Sequence, residues 1–220
     1  MCGPGPSNVL SIRDQLVFYG AYHAHPVNVG IHRIFVPLIV WSSGVIFTTN
    51  FAPSLTYKIN DYLQFDATIF LMLYWGPCLI YYYFMEPIAA LLITPQWVLI
   101  YLTACAFSHY PHALAIATAI NLASWTAQFI GHGAFEGRSP ALVDNLIGAV
   151  VLAPFFVHVE NLFALGYGKG LHESVKAGIK VKQAEFAAHY HHDHSHGHSH
   201  GHSHGHTQRR AKRNGEKTKS

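Results

Sequence analysis

PIAALLITPQWVLIYLTACAFSHYPHALAIATAINLASWTAQFIGHGAF, residues 87 to 135, carries no charged side chain over its whole length. A helix needs roughly 20 predominantly apolar residues to cross the ~30 Å hydrocarbon core of a bilayer, and this run is long enough for two. Ser108-His109-Tyr110-Pro111-His112 interrupts it with a polar, proline-containing turn. Spans are therefore expected from Pro87 to Phe107 and from Ala113 to Ile130, the second ending at the Gly131 to Gly133 break.

Working outward, the only charged side chains between Ile34 and Phe135 are Lys58, Asp61, Asp66 and Glu86. The uncharged runs 34 to 57 and 67 to 85 provide two more spans, from Arg33 to about Thr49 and from about Ala67 to Met85. NFAPSLTYKIND forms a polar loop between them, and Glu86-Pro87 breaks the chain after them, since proline lacks an amide donor. Over the whole chain 11% of residues are charged and 50% hydrophobic, against about 25% charged in a soluble domain. The fold class read from this is all-α, a polytopic membrane helix bundle of about four spans.

After Pro140 a further apolar segment, ALVDNLIGAVVLAPFFVHVENLFALGYG, is broken by Pro154 and reads as a kinked span or a re-entrant hairpin. The positive-inside tendency favours the hairpin, which keeps Lys169, Lys176, Lys180 and Lys182 on the cytosolic side with Arg13 and Arg33. Three parts follow: a membrane-embedded domain over 1–168, a basic helical or linker segment over 169–188, and a disordered His-rich and basic tail over 189–220. Residues 1 to 20 lack the pattern of a secretory signal peptide, so insertion is expected to rely on the internal spans. Cys78 and Cys105 read as packing residues and Cys2 as a weak lipidation candidate. The basic run is terminal and lacks interleaved aromatics, so no nucleic-acid partner is expected.

Ten of the 18 histidines lie in the tail, where a Ser/Gly/His repeat can buffer metal loosely but shapes no substrate cavity. The body histidines differ, because ionisable groups near membrane depth are costly and face a cavity, a partner or a functional site. Four crossings return the chain to its starting side. That parity places His132 on the same face as His23, His25 and His32, and His109 and His112 on the opposite one.

His132 and Glu136, four residues apart, share a face if the helix persists. His23, His32, His132 and Glu136 thus form a candidate set of three imidazoles and a carboxylate. Two histidines plus a carboxylate, or histidines alone, suit a non-haem iron with open positions. Interfacial polar side chains are the competing reading. His25 fits better as a residue that orients a ligand, and His158 with Glu160 as a satisfied polar pair.

FYGAYHAHPVNVGIHRIFVPL, WTAQFIGHGAFEGRSPALVDNL and LAPFFVHVENLFALGY together resemble the fungal iron-dependent 2-hydroxy fatty acid dioxygenases, over about residues 8 to 168. The resemblance implies a multi-pass endoplasmic-reticulum enzyme of fatty acid alpha-oxidation and phytosphingosine breakdown. It would use Fe(II) and O2 to shorten a long-chain 2-hydroxy fatty acid by one carbon. Its motif histidines correspond to His23, His32 and His132. The family is also associated with a further functional histidine, for which His109 and His112 are candidates.

Two rivals differ in class. A di-iron hydroxylase or desaturase would show several HxxxH or HxxHH boxes, and the body has none. A membrane metal-ion transporter or metal-buffering protein would use the His-rich tail, but the spans lack paired His/Asp motifs along a path.

Overall fold

The computed structural model describes residues 8–136 and 146–196, with side chains placed from residue 150 and as far as 185 in the second stretch. The lipidation candidate Cys2 lies outside the described residues. Helix α1 spans Ile12–Ala21, α2 Pro26–Asn50, α3 Gly76–Met85, α4 Pro87–Ser108, α5 Ala113–Gly131, α6 Leu146–Ala164 and α7 Lys169–His196. The polar loop after α2 carries a small antiparallel hairpin, β1 Thr56–Lys58 paired with β2 Gln64–Asp66.

Three segments are individually long and apolar enough to cross a membrane: Pro26–Asn50, Pro87–Ser108 and Ala113–Glu136. α6 and α7 pass the same test only together, as a pair bent by 119° that makes either a broken span or a re-entrant loop. Large apolar side chains point outward, Leu73 at 74% exposure, Phe84 at 73% and Leu122 at 63%. In water this would be an aggregating surface; around a membrane bundle it is the face toward lipid.

The span expected from Ala67 to Met85 is shorter than read from the sequence. Helix begins at Ile69, widens into a π-turn at Leu71–Trp75 and continues as α3, about 25 Å at 1.5 Å per residue. Thr68 is instead drawn to Tyr101, hydroxyl to hydroxyl at 3.1 Å. The segment still runs antiparallel to α4 along that length: Trp97 Nε1 donates to the Trp75 carbonyl (3.2 Å), and the rings of Trp75 and Tyr101, and of Tyr82 and Trp97, lie 5.0 and 5.8 Å apart. One extended residue, Glu86, turns α3 into α4, and its carboxylate caps α4 by accepting from Ala89 N–H. Direction therefore reverses as the sequence predicts.

α2 and α5 make the most extensive helix pair. Without a hydrophobic drive between helices in lipid, close approach and interhelical hydrogen bonds hold them. Asn121 on α5 donates to the hydroxyls of Ser42 (2.9 Å) and Ser43 (3.1 Å) on α2. Gly131 lies so near α2 that a Cβ there would come within 2.5 Å of Asn28 Oδ1.

α6 starts beside the middle of α3, where the carbonyls of Val150 and Val151 accept from the hydroxyls of Tyr74 and Tyr82. Just past its end, Tyr167 donates to Glu86 (2.9 Å). α6 thus returns the chain to the Glu86 end of the bundle, and α7 stays there, packed on α1 with Arg13 Nε donating to Ser174 Oγ (2.6 Å). α7 continues as helix to His196, into the segment expected to be disordered, because extending a formed helix is far easier than nucleating one. Residues 197–220, with the rest of that expectation, lie outside the described residues.

Candidate metal centre

Three of the predicted histidines meet. His23, between α1 and α2, His32, in the second turn of α2, and His132, at the end of α5, are 5%, 4% and 2% exposed, and each offers a ring nitrogen within 4.8 Å of the others'. His23 Nε2 lies 3.0 Å from His32 Nε2.

The backbone determines what those nitrogens can do. His23 Nδ1 lies 2.7 Å from the Tyr19 carbonyl, and His32 Nδ1 2.9 Å from the Asn28 carbonyl. A carbonyl oxygen has no proton to give, so each Nδ1 carries the hydrogen and donates it. In the neutral ring that leaves each Nε2 with only a lone pair.

Two lone pairs 3.0 Å apart cannot bond each other and are favourable only around a shared cation. His132 contributes a buried Nδ1 with no hydrogen-bond partner among the described residues. Burial, and then the neighbouring His32, hold His23 well below the ordinary histidine range, in the neutral form that ligates metals. The three residues therefore fit a metal ion, and the donor set is neutral imidazole, which suits Zn, Cu, Fe or Ni.

Local sequence explains the convergence. Tyr19 sits in the last turn of α1, where its carbonyl accepts from the Tyr22 N–H (3.1 Å) and has a second lone pair for His23; its ring also stacks on His23, centroids 4.3 Å apart and nearly parallel. Asn28 and His32 are four residues apart in α2, so the donated bond runs along one face. The His132 backbone N–H continues α5 by bonding Gln128 and Phe129 carbonyls before the chain widens into a π-turn at His132–Glu136.

That π-turn turns Glu136 aside from the three ring nitrogens. Its Oε1 accepts from the His25 backbone N–H (2.9 Å) and from Asn28 Nδ2 (3.0 Å), pinning the start of α2, and Glu136 is not in the converging group. His25 caps α2, Nδ1 accepting from Val27 N–H (3.2 Å), and stacks on Phe135. Its side chain holds the start of α2, and only its backbone N–H connects to the centre, through Glu136 and then Asn28.

His109 and His112 stand at the other end of the bundle. His109 Nε2 pairs with Asp66 Oδ2 at 3.0 Å, and His112, in a left-handed conformation (φ 62°), opens α5. Asn28, fully buried and holding both His32 and Glu136, escaped the sequence reading, although its four-residue spacing from His32 and the glycine beside His132 are both visible there.

The three histidines line one cavity of about 450 Å³, within the usual size of a small-molecule site. It continues past Val36, Ile39 and Val40 to Phe47 on α2, facing Phe70, Tyr74, Phe129 and Pro154. From His32 to Phe47 is ~22 Å of helix. Ser43 and Gln128 are the polar side chains that interrupt its otherwise apolar and aromatic wall beyond the histidines.

With this geometry in view, the comparisons with known proteins agree. The family described as 2-hydroxy-palmitic acid dioxygenase Mpo1-like matches residues 9–165. The chain is 34% identical over 177 residues to the 2-hydroxy-palmitic acid dioxygenase MPO1 of Saccharomyces cerevisiae, covering 80% of this chain and 93% of that protein. No solved structure matches the chain. The match spans both motif regions that supply the three histidines, and the chain belongs to the 2-hydroxy-palmitic acid dioxygenase Mpo1-like family.

Proposed function

We propose that this protein is a non-haem Fe(II)-dependent dioxygenase that converts a long-chain 2-hydroxy fatty acid and O2 to the one-carbon-shorter fatty acid and CO2. The observation that carries the reading is the three-histidine centre at one end of a long apolar cavity, in a chain whose relative is named for 2-hydroxy-palmitic acid. A polar head fits the first and an alkyl chain the second.

The reaction balances without a further reductant: R-CH(OH)-COOH plus O2 gives R-COOH, CO2 and H2O. Loss of CO2 to the aldehyde level removes two electrons, and oxidation to the acid removes two more, matching the four that O2 accepts. Zinc has no redox chemistry, so the balance calls for a redox-active metal among those that imidazole suits, and the choice of iron rests on the family resemblance. Fe(II), held by His23, His32 and His132, would supply the activation of O2 and the electron transfer.

The chain supplies the rest. Three neutral imidazoles leave the charge of a divalent ion uncompensated, which favours an anionic carboxylate beside it. Tyr19 and Asn28 hold two rings in one tautomer, and Glu136 fixes Asn28. Val36, Val40 and Tyr74 keep water from the acyl chain, which extends along α2 toward the stacked rings of Phe47 and Phe70, 4.4 Å apart. Ile69, Leu73 and Phe129 both line the cavity and are exposed on the outer surface, so a lipid substrate enters sideways from the bilayer. We place the enzyme in the endoplasmic-reticulum membrane with α7 on the cytosolic side, a reading supported by the basic residues that α7 and α1 gather at one end. A metal transporter would need polar groups along its path, and the apolar wall beyond the histidines weighs against it.

The test is anaerobic purification in detergent, addition of Fe(II), 2-hydroxypalmitate and then O2, and mass spectrometry for pentadecanoate. Pentadecanoate is expected in step with oxygen consumed; its absence with iron and oxygen present would overturn the reading.

A further inference from the structure

The geometry points to Gln128 as the residue that recognises the substrate's polar head, and so as the source of selectivity for a 2-hydroxy acid over an unsubstituted one. This rests on the functional reading above and deepens it.

Gln128 is buried, 5% exposed, and neither its Oε1 nor its Nε2 has a hydrogen-bond partner among the described residues. A buried carboxamide left so forfeits the hydrogen bonds it would make in water, and native structures keep few of them. Its side chain lines the same cavity as the three histidines. It is also one helical turn before His132, whose backbone N–H bonds the Gln128 carbonyl, so both side chains leave the same face of α5. Of the other polar groups at this depth, Ser43 accepts from Asn121, Asn28 Nδ2 donates to Glu136, and the Nδ1 atoms of His23 and His32 are tied to backbone; Asn28 Oδ1 and His132 Nδ1 also lack a partner among the described residues, but Asn28 lies outside the cavity wall and His132 belongs to the metal centre.

The chemistry of the unmet groups selects the ligand. A carboxamide offers a donor and an acceptor side by side. A 2-hydroxy carboxylate offers the complement on adjacent carbons: a carboxylate oxygen that accepts from Nε2 and a hydroxyl that donates to Oε1. An unsubstituted fatty acid satisfies Nε2 and leaves Oε1 buried and unpaired. Sites built to bond a substrate hydroxyl reject the analogue lacking it much more strongly than apolar pockets discriminate by size.

The experiment measures equilibrium binding of 2-hydroxypalmitate and of palmitate to the full-length protein in detergent, with Fe(II) and without O2, by displacement of a fluorescent fatty acid. The native protein is expected to prefer 2-hydroxypalmitate by about tenfold or more, and Gln128→Leu to remove most of that preference by weakening the 2-hydroxy acid far more than palmitate. Gln128→Met, closer in shape, repeats the measurement should the leucine variant misfold. A native protein without preference overturns the selectivity assigned to Gln128, while the functional reading stands or falls separately on whether the same protein forms pentadecanoate. Native preference retained by both variants overturns the role of Gln128 alone, and so does an equal loss of both acids, which assigns Gln128 to packing.

Discussion

The two ends of this bundle each gather polar groups around histidine, and they do opposite things with them. At the far end, His109 gives a ring nitrogen to Asp66, which also accepts from Gln64 at 3.0 Å; the ring is half exposed and its need is met within the protein. At the near end, His23 and His32 spend their Nδ1–H on backbone carbonyls and face each other with bare lone pairs at 3.0 Å, beside His132, whose Nδ1 has no hydrogen-bond partner among the described residues. A histidine closes a hydrogen-bond network when a carboxylate meets it, and opens a metal site when the backbone fixes its tautomer and nothing else answers. Proximity of histidines alone does not separate the two cases; the identity of the second partner does.

The most severe way to break the contrast is to remove a converging ring. His23→Ala, His32→Ala or His132→Ala should each lower pentadecanoate formation at least about a hundredfold, more than loss of an outer partner of a metal ligand. His109→Ala should leave it within about twofold.

Gly131→Ala comes next, because the added methyl meets Asn28 Oδ1 and Ile31. Pushing on the Asn28 side chain shifts the first turns of α2, which carry His32 and the carbonyl that orients it, and turnover should fall ~10- to 100-fold, with Gly133→Ala, which meets nothing among the described residues, as the control. Glu136→Ala should cost about tenfold by releasing Asn28, whereas Glu136→Gln, whose carbonyl still accepts both bonds, should restore most of the rate. Recovery by glutamine separates anchoring from metal ligation, for which a neutral amide is a poor substitute.

The smallest effect on rate and the clearest on selectivity belongs to Phe47→Ala. Opening the end of the cavity should shift the optimum toward longer 2-hydroxy acids, read from a series of chain lengths in competition. An unchanged profile would show that the acyl chain does not reach Phe47.

Much of this was legible in the sequence. Counting apolar runs and reversals placed His132 with His23 and His32 and sent His109 and His112 away, because parity depends on the number of crossings and not on their exact ends. For the same reason the short helix from Ile69 to Met85 did no harm: its length was overread, its direction was not. Glu136 shows the limit. A four-residue spacing from His132 implies a shared face only for a regular helix, and the π-turn at 132–136 rotates the carboxylate toward the start of α2. Asn28 and Gln128 were missed because a polar residue near a membrane surface is ordinary until its partners, or their absence, are known.

The central claim is best tested by bound iron. The full-length protein and its His132→Ala and His109→Ala variants, each loaded with Fe(II) and dialysed against a chelator without O2, should be compared for metal by mass spectrometry. The account predicts that the native protein and His109→Ala retain the same tightly held iron while His132→Ala loses it. Iron kept by His132→Ala, or lost by His109→Ala, would contradict it.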